Sequence, residues 1–145
     1  MVKFEKVSKI QEDIMLPVRA TENSAGYDFF APEDITLPAK TLTRVMTGIK
    51  CELTPDMVLI LANRSSNPSK KSLFLANGVG IVDADYYNNP GNEGEIGFEF
   101  YNFSNKDVII SKNEKIGQGI ITTYIRVEGD NATGSRVGGY GSTGK

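Results

Sequence analysis

No histidine occurs anywhere in the 145 residues. That single absence removes Ser-His-Asp and Cys-His catalysis, and His-ligated zinc with them. Cys51 is the only cysteine, so no internal disulfide can form and a reducing compartment is the natural setting. No apolar run approaches the length needed to span a bilayer. The first ten residues alternate charge without an apolar core, so they do not read as a signal peptide, and the expected location is cytoplasmic. The 16 basic and 18 acidic side chains leave a net charge of −2. The cations are scattered, with no basic stripe and no aromatic interleaving, which argues against nucleic acid as a partner. An anionic ligand must therefore be held locally, by a few cations, by backbone amides or by a metal.

The length suits one domain with a real core, and the 39% hydrophobic and 23% charged content is ordinary for a globular chain. Residues 2–7 alternate crudely and read as a first strand, and Ile14-Met15-Leu16-Pro17 as a short edge segment limited by its proline. Residues 43–53 read as a strand pair or one long bulged strand. Residues 57–62 form a continuous apolar run of buried-strand length. The polar stretch 63–73 has room for one short helix, with Pro68 in its first turn and Ser65, Ser66 or Asn67 as cap. Ile96, Phe98 and Phe100 alternate as in a half-buried strand. Residues 108–110 and 120–125 follow as further strands. Short strands with turn signals every ~8–12 residues, and almost no helical periodicity, predict an all-β sandwich or jelly roll. The pattern dissolves after Val127. The expected organisation is a β domain over residues 1–127 and a linker with a flexible glycine-rich arm over 128–145.

Five segments are odd for pure structure. The run from Asn77 to Tyr87 leads two glycines and a β-branched segment into Asp83-Ala84-Asp85-Tyr86, and reads as a hairpin whose rim carries chemistry. Paired carboxylates there can bind a divalent metal or act as a general base with a structural partner; an Asp-rich turn is the bland alternative. Arg64-Ser65-Ser66 combines a guanidinium, hydroxyls and free amides, the makings of a phosphate cradle or simply a capped helix start. Asp28 after Ser24-Ala25-Gly26-Tyr27 is by itself a turn residue. Gln118 lies between Gly117 and Gly119 inside a strand pattern, where glycine admits a ligand or another backbone, or marks a bulge. The tail places Arg136, Tyr140, Ser142 and Thr143 among glycines. That suits an arm ordering over a phosphorylated ligand, and it is not a Walker loop because the spacing differs and no helix follows.

In this order, the five segments resemble the motifs of the homotrimeric dUTP pyrophosphatase (dUTPase) family, and the resemblance covers most of the chain. It implies a jelly-roll, β-clip-like subunit assembled as a trimer. Active sites would lie at subunit interfaces, the arm of one chain closing over a site formed by others. The implied reaction is hydrolysis of dUTP to dUMP and pyrophosphate with Mg2+ on the triphosphate, which lowers dUTP and supplies dUMP for thymidylate synthesis. Asp83 matches the carboxylate that positions the attacking water. Asn77 matches the amide that pairs with uracil, assisted by backbone near Gly80 and Ile81, and Tyr86 the ring that excludes a 2′-hydroxyl. Arg64, Ser65 and Gln118 match phosphate contacts, with Ser66 beside them. Arg136 matches the arm's cation at the γ-phosphate and Tyr140 the aromatic lid, with Gly141, Ser142 and Thr143 completing the arm's contacts. Asp28 matches a carboxylate that reaches the metal through water. Asp85 is left a structural role.

The sequence departs from the family pattern in several places. Asn63 stands where proline usually precedes the Arg-Ser pair, Ser66 where glycine is commoner, and Tyr140 where phenylalanine is usual. The segment from Tyr87 to Asn92 looks like a six-residue insertion that displaces the usual arginine. Two other readings are open. A dCTP deaminase-related enzyme shares the fold but wants a glutamate beside the pyrimidine, and none aligns within residues 75–82. A nucleotide-switched protein-binding module would use the loop from Tyr87 to Asn92 as its docking surface for a protein partner.

Overall fold

The computed structural model describes residues 1–144, so Lys145, the last residue of the expected arm, lies outside the described residues. The strands begin with β1 (Lys3–Lys6), β2 (Val18–Arg19), β3 (Tyr27–Phe30) and β4 (Ile35–Leu37). They continue through β5 (Leu42–Met46), β6 (Ile49–Glu52) and β7 (Met57–Asn63). After the single turn of helix α1 (Asn67–Lys71) come β8 (Leu73–Leu75), β9 (Gly80–Asp83), β10 (Gly97–Asn102), β11 (Val108–Ile110) and β12 (Lys115–Thr123). A 3-10 turn, Ala84–Tyr86, follows β9 directly.

Five strands make the largest sheet, in the order β2-β3-β12-β7-β9, and three make a second, in the order β5-β10-β8. The pairs β1-β6 and β11-β4 complete an all-β jelly roll with one short helix, as the strand spacing predicts. The two larger sheets face each other through aromatic side chains. Phe29 on β3 meets Phe98 on β10 edge-on at 5.3 Å between ring centroids, and Phe98 stacks with Phe100 at 6.1 Å. Each of these rings is almost fully buried, and such burial stabilises by roughly 1.5–3 kcal/mol per side chain. The predicted alternation in β10 holds, with Phe98, Phe100 and Asn102 turned inward. Asn102 is tolerated there because its amide donates to the carbonyls of Leu37 and Lys106.

Several local expectations change. The edge segment at Ile14–Pro17 is not a strand; pairing starts just after Pro17, at Val18 opposite Asp28, because proline has no N–H to give a ladder. Residues 43–53 are neither a strand pair nor one bulged strand. A turn at Thr47 and Gly48 (φ +74°) sends β5 to β10 and β6 to β1. Asn77 to Tyr87 is not a hairpin either: β8 pairs with β10 while β9 pairs with β7. The tight turn at Asn77–Val79 therefore passes the chain from one sheet to the other.

The apolar run in β7 is buried on one face only, through Leu59 and Leu61. On its outer face Ile60 lies directly between Ile120 of β12 and Ile81 of β9. This cross-strand row of three isoleucines faces away from the core, and Ile81 is 58% exposed. No strand or helix is formed beyond Thr123 among the described residues.

Candidate active site

Strand β9 ends the five-stranded sheet, so one edge of its backbone has no strand partner and its polar groups are free to bond a ligand. A cleft of about 410 Å³ opens along that edge. Asn77, Gly80, Ile81, Val82 and Asp83 supply one wall, Tyr86 a second, and Arg136, Tyr140, Gly141 and Thr143 approach from the arm. The sequence-predicted base-reading, water-handling and arm residues are thus brought together, Ser142 excepted. Ser142 instead packs back on Gly138, close enough that a Cβ there would meet its own at 3.0 Å.

Asp83 is the last residue of β9 and the residue before the 3-10 turn. It has extended geometry and makes no capping bond, which leaves its carboxylate pointing out of the fold. Arg136 occupies that carboxylate. Its Nη2 donates to Asp83 Oδ2 at 2.6 Å and its Nε to Asp85 Oδ1 at 2.7 Å. The Asp85 carboxylate, and burial working against it, set the Arg136 guanidinium above its usual value. Asp85, read from sequence as structural, thus pairs with the arm's cation beside Asp83. Within the chain, the arm returns to Asp83 and Asp85. The register gives the reason. Thr122 of β12 lies opposite Val58, which lies opposite Asp83, so the sheet delivers the linker to the same end as the acid.

The Tyr86 ring is 8% exposed, and its hydroxyl donates to the Glu95 carbonyl at 2.9 Å. Tyr140 meets it edge-on at 6.4 Å and lies under Arg44, whose guanidinium carbon is 3.9 Å from the Tyr140 ring centroid. Burial lifts the Tyr140 phenol above its usual range. Glu99 holds Arg44 at 3.4 Å, and a Cβ at Gly97 would come within 2.8 Å of the Tyr140 hydroxyl. Arg44, Glu99 and Gly97 were missed from sequence. A charged pair on adjacent strands has no local signature that separates it from any solvated sheet face.

The remaining predicted residues gather elsewhere. Asp28 lies opposite Gln118, and Gln118 opposite Ala62. Asp28 is ion-paired with Lys115 at 2.9 Å, and Gln118 donates to the Asn63 carbonyl at 3.2 Å. Arg64 leaves β7 at this end and donates to the Lys115 carbonyl at 3.3 Å. Ser65 is exposed; Ser66 precedes α1 by position but makes no side-chain cap bond. The turn carrying these three residues is braced by Asn67, whose amide donates to Asn63 Oδ1 at 2.7 Å and to the Ile116 carbonyl at 3.1 Å. Asn63, in the place of a usual proline, thus has a bracing task. The glycines beside Gln118 admit no ligand: Phe98 fills the space over Gly117, and Leu59 and Phe29 the space over Gly119.

Asp83 and Gln118 share the outer face of one sheet yet do not meet. They are four residues apart along β7, roughly 13 Å at a rise of about 3.3 Å per residue, and two strands across, roughly another 10 Å. The isoleucine row lies between them. Among the described residues no group of three or more His, Cys, Asp or Glu is placed to hold a metal.

The dUTPase family model matches residues 12–144. The deoxyuridine 5′-triphosphate nucleotidohydrolase of Lactococcus lactis subsp. lactis is 42% identical over 144 residues, spanning 97% of this chain and 96% of the relative. That of a Hydrogenobaculum species is 36% identical, spanning 95% and 96%. The crystal structure of dUTPase from Streptococcus mutans superposes with a TM-score of 0.84 at 38% identity, covering 87% of this chain and 98% of that one. The match of sequence, over nearly the full length, and of fold leads to one conclusion: the chain belongs to the dUTPase family.

Proposed function

We infer that the chain is a dUTP diphosphatase, hydrolysing dUTP to dUMP and pyrophosphate, with Asp83 as its catalytic carboxylate. The observation that carries the assignment of roles is the outward-pointing Asp83 at the mouth of a cleft walled by the free edge of β9 and by Tyr86. The Asn77 amide and the backbone of Gly80 and Ile81 form a polar edge suited to the Watson–Crick side of uracil, in a wall too close for a thymine methyl. The Tyr86 ring lies against the sugar and refuses a 2′-hydroxyl by exclusion.

Asp83 orients a water and accepts its proton as the water oxygen bonds to the α-phosphorus. The bond from that phosphorus to the bridging oxygen breaks, and pyrophosphate leaves with the electron pair. Positioning and charge neutralisation supply most of the acceleration. Arg136 is well placed to exchange partners: its two carboxylates give way to the γ-phosphate, freeing Asp83 for the water while Tyr140 covers the base. Magnesium, when bound, neutralises triphosphate charge. With no cage of three or more carboxylates among the described residues, the donor set fits it as a guest of the phosphates, which Asp28 would help to hold through water.

A homotrimer is the assembly we propose. Arg64, Ser65, Ser66, Gln118 and Asp28 are too far from Asp83 to grip the same triphosphate within one chain, and the isoleucine row offers an apolar face for another copy. Residues 1–127 form the catalytic body and residues 128–145 the arm. Among the described residues no helix is long and apolar enough to cross a membrane. The proposed cytoplasmic setting suits Cys51, whose thiol burial pushes up to about 12 and so away from the reactive thiolate.

The test is direct. The purified chain with dUTP and magnesium should release pyrophosphate and dUMP in equal amounts. Ammonia from dCTP would instead establish the deaminase reading, for which Glu99 is the glutamate in the cleft, although its carboxylate is engaged by Arg44.

A further inference from the structure

The loop from Tyr87 to Asn92 marks the chain's largest departure from its family pattern; Asn88, Pro90 and Gly91 are exposed, while Tyr87, Asn89 and Asn92 turn inward. Asn89 is 4% exposed. The Tyr87 hydroxyl bonds to Glu5, and its ring lies 5.1 Å from the Lys50 ammonium. Lys50 also donates to Asn88 Oδ1 at 2.7 Å and to Glu93 Oε1 at 3.2 Å, while the Ser8 hydroxyl and amide hold the other Glu93 oxygen. At the loop's end, Asn92 Oδ1 accepts from Asn89 Nδ2 and from the Gly94 amide, both at 2.9 Å. Its Nδ2 is left to donate to the Tyr86 hydroxyl at 3.0 Å.

We propose that Asn92 is a positioning residue for sugar discrimination, clamping the Tyr86 ring through its phenol. This rests on the reading that the Tyr86 ring refuses a 2′-hydroxyl. A tyrosine ring is anchored at Cβ and can swing about two torsions. A tether on the para oxygen, the atom farthest from the anchor, removes that swing most effectively. Here the phenol is used twice, donating to the Glu95 carbonyl and accepting from Asn92. Glu95 and Asn92 are themselves joined, the Glu95 amide donating to the Asn92 carbonyl at 3.0 Å. Steric refusal of one oxygen atom depends on tenths of an ångström, so a ring that can yield discriminates less than one that cannot. The arm reads the same surface: a Cβ on Gly139 would come within 2.7 Å of Tyr86 Cε1. The loop thus keeps the ring rigid against both the sugar and the closing arm.

The experiment is a double-mutant cycle read as the ratio of kcat/KM for dUTP to that for UTP. Asn92→Ala should lower this ratio about five-fold, the effect of losing an ordinary hydrogen bond, and Tyr86→Phe, which loses two, at least as much, mostly through better use of UTP. The double variant should be no worse than Tyr86→Phe alone, because that change already removes the Asn92 bond along with the Glu95 bond. Tyr86→Phe keeps the ring and the core volume, so it guards against an Asn92→Ala chain that folds poorly. An unchanged ratio in either single variant, or additive losses in the double variant, overturns the proposal. Tyr86→Ala separates the two levels of inference. If it too leaves the ratio unchanged, sugar exclusion by the ring is wrong. If it relaxes the ratio while Tyr86→Phe does not, only the clamp is wrong.

Discussion

The cleft beside β9 and the turn after β7 share a sheet face but hold their residues by different means. In the cleft, the contacts of the arm run from side chain to side chain: Arg136 on Asp83 and Asp85, Arg44 on Tyr140. In the turn, Arg64 and Gln118 donate to backbone carbonyls, and Asn67 ties the turn to β12. Contacts of the first kind can be exchanged when a ligand brings its own charges. Those of the second kind are templated by the backbone and stay put. Under the proposed function, motion belongs to the arm over Asp83 and rigidity to the turn that holds Arg64 and Gln118.

The sharpest way to break it is at the acid. Asp83→Asn should lower kcat by about 10²–10⁴-fold, the range for loss of a general base, while a non-hydrolysable dUTP analogue still binds in calorimetry; near-normal turnover would take the chemistry away from the cleft. Truncation before Arg136 should cost about 10²–10³-fold in kcat, as loss of a preorganised charge does. The unfolding midpoint should barely change, because no strand or helix lies beyond Thr123 among the described residues; a large fall in the midpoint would make the arm part of the body. Next comes mixing. Asp83→Asn and Arg64→Ala chains, each nearly inactive, should recover turnover when refolded together, since intact halves can then meet across copies. No recovery would mean that one chain holds the whole site.

The smallest effect concerns the loop behind Tyr86. Hydrogen bonds from Ser8, then Lys50, hold the Glu93 carboxyl below its ordinary value. Its contribution to stability is therefore present at pH 7 and is lost as pH falls through that depressed value. Glu93→Gln should melt slightly earlier than the parent at pH 7, and the gap should close in acid. A gap that widens in acid would reverse the sign of the interaction.

Much of this was legible before any coordinates. The alternation in β10, the proline-started helix turn and the acid-rich end of β9 are written in neighbouring residues. The cleft's own residues were legible as motifs, from Asn77 to Tyr86 and again in the arm. What could not be read was partnership at a distance. That β8 and β9 belong to different sheets depends on β10 and β7, which lie on either side in sequence. Asp85 looked structural because its partner, Arg136, is fifty-one residues away. Arg44 and Glu99 look like any two charges on a strand until Tyr140 is seen between the first of them and Tyr86.

Strand β7 is paired along both sides, to β12 and to β9, with Asp83 set beside one end and Gln118 beside the other. It behaves as a ruler graduated in whole residues. Substitution can alter what stands at either mark, but the interval changes only in steps, and a single step turns every side chain to the opposite face. Side chains at both ends of the ruler are open to variation; its length is the quantity this fold is least free to adjust.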